Sequence, residues 1–86
     1  MLRTRNLTLT STAQELTIDD SIDTANTISV QNTDASAPIY IDNASVTSSN
    51  YGIKLAAGQI WSADLAPNHQ IYAVGTSTVA VLILER

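Results

Sequence analysis

Few residues of this 86-residue chain are of the types that carry out acid–base or nucleophilic chemistry. The single histidine, His69, follows Pro67 and Asn68 in a segment with the composition of a loop. No serine stands in the Gly-x-Ser-x-Gly context of a hydrolase nucleophile. Polar loop residues are usually solvated. We therefore expect an exposed His69 and a protein that is not an enzyme.

Three carboxylates, Asp19, Asp20 and Asp23, have the composition of a cation site but not its spacing. Calcium-binding loops place oxygen ligands at alternate positions and use a glycine for the sharp turn, and this cluster has neither. Aspartates also bond to their own backbone in turns, which explains the cluster more simply. The chain contains no cysteine, so it has no thiolate ligand and no disulfide. We expect no metal and no cofactor.

The aromatic residues are the remaining candidates for ligand contacts, and they are Tyr40, Tyr51, Tyr72 and Trp61. Trp61 alternates in step with Ala63 and Leu65, which indicates a core or interface position. Tyr51 precedes Gly52 in a predicted turn and is the aromatic residue that we most expect to be exposed. Exposed aromatic rings can stack on sugar rings, so a glycan- or ligand-binding β module is an alternative function.

The elements that would position these residues are short strands separated by polar turns. Apolar and polar residues alternate in segments spaced roughly eight to twelve residues apart, and no segment sustains a helical period. The pattern predicts an all-β fold, a single small antiparallel β-sandwich or barrel of about seven to nine short strands. One of these strands is expected around Val46, after a tight turn at Asp42-Asn43.

We expect one domain over residues 7–86, preceded by a flexible N-terminal arm over residues 1–6. The arm contains Arg3 and Arg5, two of the four basic residues. Untied termini are usually disordered. The alternative is an arm whose arginines contact an acidic surface of a partner during assembly.

The strongest single signal is the C-terminal stretch 71–85, in which two apolar runs flank Gly75-Thr76-Ser77. This break predicts a β-hairpin. The second run is apolar on both sides of a strand, whereas a half-buried antiparallel strand normally alternates apolar with polar residues. One of its sides would therefore pack against another subunit. The predicted self-association interface consists of Tyr72, Val74, Ala80, Leu82 and Leu84.

Composition narrows the class of partner. The formal net charge is −4 and only four residues are basic, so nucleic acid, whose binding depends on neutralised phosphates, is not expected as a partner. Charged residues make up 14% of the chain, against about a quarter in typical domains. A surface of neutral polar residues fits an extracellular or assembled particle. We expect no membrane span and no signal peptide, and synthesis in a cytoplasm.

Several segments together resemble small β-sandwich proteins of bacteriophage virions: Ile28-x-Val30-x-Asn32, Ile39-Tyr40-Ile41, Val46-Thr47, Gly52-x-x-Leu55-x-x-Gly58, Ile71-Tyr72-Ala73-Val74 and the closing strand 79–85. The resemblance implies a non-enzymatic virion structural protein. Capsid decoration (cement) proteins of this kind form homo-oligomers, here expected as a trimer, and bind the major capsid protein. A neck, tail or fibre component is the alternative position in the virion.

Overall fold

A computed structural model describes residues 2–17, 26–67, 69–76 and 78–85. These residues contain eight β-strands and no helix. The strands are β1 (Leu2–Thr8), β2 (Gln14–Glu15), β3 (Asn26–Asn32), β4 (Ile39–Asp42), β5 (Ile53–Leu55), β6 (Ile60–Leu65), β7 (Tyr72–Gly75) and β8 (Thr78–Glu85). The all-β prediction is confirmed.

The strands form two antiparallel sheets of four strands each. Sheet A has the order β1-β8-β3-β6, and sheet B has the order β2-β7-β4-β5. The first strand pairs with the last, the second with the seventh, the third with the sixth and the fourth with the fifth. This nested pairing is the topology of a jelly roll, a double-sheet form of the β-sandwich. The predicted antiparallel sandwich is therefore confirmed.

The core lies between the inner sides of the two sheets. Sheet A contributes alternate residues of its central strands, and Val30 lies opposite Val81 while Ile28 lies opposite Ile83. All four side chains are at most 1% exposed. Sheet B contributes Ile39, Ile41, Leu55 and Ala73. Trp61 and Ala63 pack partly buried against this core, as their alternation with Ile60, Ser62 and Asp64 predicted.

The C-terminal stretch does not form the predicted hairpin. β7 lies in sheet B between β2 and β4, whereas β8 lies in sheet A between β1 and β3. The chain thus crosses from one sheet to the other instead of turning back on itself. Both neighbours of β7 and both neighbours of β8 are therefore strands distant in the chain. In a hairpin, β7 and β8 would each have the other as one neighbour. The hairpin prediction is wrong.

Gly75 has a different role from the one its turn context suggested. A Cβ atom at this position would lie 3.2 Å from Cγ2 of Ile39 and 3.3 Å from the carbonyl oxygen of Pro38. Both distances are shorter than ordinary contacts, so glycine allows the end of β7 to approach the start of β4 closely. The Gly75 N–H also donates a hydrogen bond to the carbonyl of Thr10 at 3.0 Å.

The strand predicted around Val46 is absent. Residues 43–52, called here the 43–52 segment, form turns with one isolated bridge between Thr47 and Asn50. Asn43 does turn the chain, because its Oδ1 accepts a hydrogen bond from the Ser45 N–H at 2.8 Å. Val46 is 3% exposed but does not belong to the main core. The segment lies against the outer side of sheet B, and strand β4 pairs instead with β5.

Residues 2–6, expected to be a flexible arm, form the first part of β1, and Arg3 lies in this strand opposite Ile83. The guanidinium group of Arg5 is partly buried and donates hydrogen bonds to the carbonyls of Glu15, at 3.4 Å, and Thr17, at 3.3 Å. The arm interpretation considered only the polar composition of these residues. Without β1, one edge of β8 would have no partner strand. In the fold, β1 pairs with that edge over its whole length.

Candidate interaction surface

Strand β8 places an apolar line along the middle of the outer side of sheet A. Leu82 is 41% exposed and Leu84 is 47% exposed, while Ala80 is partly buried. Polar side chains flank this line in the neighbouring strands, since Leu82 lies between Thr4 of β1 and Ser29 of β3. The strand is therefore apolar on both sides, with one side in the core and the other facing outward.

Ile60 extends this apolar surface toward the edge of the sheet. Ile60 is the first residue of β6 and is 63% exposed. It lies opposite Gln31 of β3. A shallow cleft of about 280 Å³ lies between Ile60 and Leu82. We define the outer face of sheet A by the residues Thr4, Asn6, Thr27, Ser29, Gln31, Ile60, Ser62, Asp64, Ala80, Leu82 and Leu84.

Cross-strand hydrogen bonds join the polar side chains of the outer face of sheet A. The hydroxyl groups of Ser29 and Ser62 are 2.8 Å apart, and the Thr27 hydroxyl donates to Oδ1 of Asp64 at 2.8 Å. Asp64 is the one charged residue among those that define the face. These bonds restrain side chains that would otherwise be free, so the face is neutral over most of its area and largely pre-ordered.

The five residues of the predicted interface do not form one surface. Ala80, Leu82 and Leu84 share the outer face of sheet A, but Tyr72 and Val74 belong to β7 in sheet B. The prediction grouped them because a hairpin would have placed β7 beside β8. Val74 is only 2% exposed, and Tyr72 is partly buried opposite Glu15 and Asp42. The role of Ala80, Leu82 and Leu84 in self-association stays a prediction.

The predicted interface did not include Ile60. The alternation of β6 placed it on the side opposite Trp61, together with Ser62 and Asp64. A single exposed aliphatic residue is ordinary, whereas an exposed apolar patch marks a contact surface. Only the structure shows that Ile60 lines the same cleft as Leu82.

The aromatic residues lie in separate places. Tyr40 and Tyr51 meet on the outer side of sheet B, with ring centroids 4.8 Å apart and planes tilted by 48°. Nζ of Lys54 lies 6.0 Å from the centroid of the Tyr40 ring. Tyr51 is 40% exposed, as its turn position suggested. Trp61 instead packs against the core from sheet A, so the four aromatic residues do not form one platform.

A second cleft, of about 320 Å³, opens beside Tyr40 on the outer side of sheet B. Its lining consists of Ser11, Pro38, Tyr40, Thr47, Ser48, Val74, Gly75 and Thr76. These residues come from the loop after β1, the start of β4, the 43–52 segment, the end of β7 and the crossover that follows it. We call it the Tyr40 cleft.

The residues considered for catalysis and metal binding were His69 and the carboxylates Asp19, Asp20 and Asp23. His69 is exposed, and its backbone N–H donates to the carbonyl of Ala66 at 3.3 Å. The described residues contain no group of three or more histidine or carboxylate side chains placed to hold a metal ion. Asp19, Asp20 and Asp23 lie outside the described residues. Within the described ranges, no helix is long and apolar enough to cross a membrane.

Comparisons with known proteins identify the architecture. No protein-family model and no curated protein matches the sequence. A protein of the Bacillus endospore appendages, which are described as a novel family of disulfide-linked pili, is similar in structure with a TM-score of 0.61 and 14% sequence identity; the match covers 96% of this chain and 82% of that one. What is shared is the fold.

A de novo designed double-stranded β-helix, solved by NMR in solution, is also similar. Its TM-score is 0.55 at 9% identity, and the match covers 100% of this chain and 99% of the designed one. Likeness at such low identity extends to the fold alone. It agrees with two sheets wound from nested strand pairs. The resemblance to bacteriophage virion proteins remains an expectation from the sequence.

Proposed function

We propose that this protein is a non-enzymatic structural subunit that associates with copies of itself through the outer face of sheet A. The observation that carries the proposal is the exposure of Leu82 and Leu84 on a central strand. A strand that is apolar on both sides normally lies between two apolar layers. The core of the domain is one layer, and a second subunit supplies the other.

The charge distribution favours a second copy of this chain as the partner. The chain carries a formal net charge of −4, yet Asp64 is the one charge among the residues that define the face. Two copies that meet there bring few like charges together, and the apolar line is desolvated at the centre of the contact. Burial contributes about 25 cal/mol per Å². A standard interface buries about 800 Å² of each partner. The stabilisation from this burial must exceed an association cost of about 4–15 kcal/mol.

The association would be non-covalent. The similar appendage protein belongs to pili described as disulfide-linked, whereas this chain has no cysteine. Apolar burial and hydrogen bonds must then supply all of the stabilisation between subunits. Such contacts depend on protein concentration, which makes the proposal measurable in solution.

For the particle in which the subunit resides, the sequence resemblance favours a bacteriophage virion. In this proposal the protein is a capsid decoration subunit that forms a trimer and contacts the major capsid protein, with a neck, tail or fibre position as the alternative. A fibrous assembly outside phages is a second candidate. It is favoured by the fold that this chain shares with a pilus-forming protein.

The test is the mass of the protein in solution, measured by light scattering coupled to size exclusion over a range of concentrations. We compare the natural sequence with Leu82→Lys, which places a charge at the centre of the face. The matched control is Ala56→Lys, which adds the same charge at an exposed turn residue. We expect an oligomer for the natural sequence and for Ala56→Lys, and a monomer for Leu82→Lys.

Two results would contradict the proposal: a monomer of the natural sequence at every concentration, or an unchanged oligomer in Leu82→Lys. The size of the oligomer separates the two kinds of particle. A closed trimer favours the decoration protein, because a closed ring has no free interface to which a further subunit could add. A mass that grows steadily with concentration favours an open-ended fibre.

A further inference from the structure

The Tyr40 cleft lies on the opposite side of the sandwich from the outer face of sheet A. Tyr40 points outward because its neighbours Ile39 and Ile41 are buried in the core. Its cross-strand neighbours are Lys54 on β5 and Val74 on β7. Tyr51 packs against the ring, and Nζ of Lys54 lies 6.0 Å from its centroid, so Tyr40 forms an aromatic wall that Tyr51 holds in place.

The floor of the cleft is apolar and the rim carries hydroxyl groups. Val74, Pro38 and Gly75 provide apolar lining, and Val74 is only 2% exposed. The hydroxyl groups of Ser11, Ser48 and Thr76 make no hydrogen bond to any described residue, so they are available to a ligand. The volume of about 320 Å³ lies at the small end of the range of ligand sites.

We infer that the Tyr40 cleft binds the ring of a neutral saccharide. A sugar ring has an apolar C–H face, which suits an aromatic wall, and a polar edge, which suits rim hydroxyls that both donate and accept hydrogen bonds. The described residues that line the cleft include no charged one, so among them an acidic or basic ligand would be desolvated without a partner for its charge.

Sugar binding in the Tyr40 cleft is independent of the proposed self-association. The cleft and the outer face of sheet A are on opposite sides of the domain, so a second subunit on that face leaves the cleft open. An oligomer would display several clefts at once. Weak binding at each site would then combine into stronger attachment to a surface that carries many sugars.

The test is NMR titration of the ¹⁵N-labelled protein with single sugars. The neutral probes are glucose, galactose, N-acetylglucosamine and N-acetylgalactosamine, and N-acetylneuraminic acid is the acidic comparison. We expect at least one neutral sugar to shift the backbone amide signals of Tyr40, Ser48, Gly75 and Thr76. The shifts should saturate at millimolar concentrations.

Two variants locate the site. Tyr40→Ala removes the aromatic wall and is expected to weaken binding about tenfold. Because that variant also loses the contact with Tyr51, Ser48→Tyr provides a second test: it fills the cleft from an exposed turn residue without changing the core. Its matched control is Ser45→Tyr, an exposed serine of the same segment that does not line the cleft, and this variant should bind as the natural sequence does.

Any of three results would overturn the inference. The first is that no neutral sugar shifts any amide signal. The second is that the shifts persist unchanged in both Tyr40→Ala and Ser48→Tyr. The third is that N-acetylneuraminic acid alone shifts the signals, because the ligand would then be recognised by its charge. None of these results depends on the oligomeric state.

Discussion

The side-chain amide of Asn32, at the end of β3, donates a hydrogen bond to the carbonyl of Leu55, at the end of β5, at 3.1 Å. β3 belongs to sheet A and β5 to sheet B, so this bond joins the two sheets. The same amide donates to the carbonyl of Ala37 at 2.8 Å, and Oδ1 accepts from the Asp34 N–H at 3.1 Å. Asn32 is fully buried, and its side chain satisfies three backbone groups.

We expect Asn32→Ala to reduce the free energy of unfolding by about 2–3 kcal/mol, because buried carbonyls lose their donors. The measurement is urea unfolding followed by circular dichroism. The matched control is Asn43→Ala, in which an exposed asparagine loses one hydrogen bond from the Ser45 N–H. Its cost should stay below about 1 kcal/mol. Equal losses in the two variants would show that Asn32 does not join the sheets.

The two sides of β8 are tested by neighbouring substitutions. Ile83 is 0% exposed and Leu84 is 47% exposed. Ile83→Ala should lower the free energy of unfolding by about 2–5 kcal/mol through lost burial and a cavity. Leu84→Ala should lower it by less than about 1 kcal/mol when measured at concentrations where the protein is monomeric. Losses of similar size would contradict the placement of these side chains on opposite sides of sheet A.

Asp34 makes a specific prediction about pH. Its Oδ2 accepts hydrogen bonds from the backbone N–H groups of Ser36, at 3.0 Å, and Ala37, at 2.7 Å. These bonds, with that from Ser36 the largest cause, hold the pKa of the Asp34 carboxyl below its usual value. A lowered pKa in the folded state means that the carboxylate stabilises the fold above the unfolded-state pKa. This contribution is lost as the pH falls through the folded-state pKa.

The measurement is the melting temperature as a function of pH across the acidic range, for the natural sequence and for Asp34→Asn. Because the amide does not titrate, the variant should be less stable near neutral pH and should lack this part of the acid-induced loss. The two curves should therefore converge at low pH. Parallel curves throughout would show that the hydrogen bonds to Asp34 do not stabilise the charged form.

The sequence by itself determined which side of the alternating strands β3 and β6 enters the core. Alternation predicted that Trp61 and Ala63 point inward and that Ile60 points outward, and it identified β8 as apolar on both sides. These properties follow from the geometry of an extended chain, in which successive side chains point to opposite sides. Leu82 and Leu84 could accordingly be chosen as exposed contact residues without a structure.

Only the tertiary structure decided which strands are neighbours. It separated β7 from β8, paired the N-terminal residues with β8, and brought Tyr51 onto Tyr40 to brace the wall of a cleft. Val74 is the instructive case, because its outward position was predictable but its burial beside the 43–52 segment was not. The physical reason is that pairing and coverage depend on contacts between residues far apart in the chain, whereas alternation is a local property of the backbone.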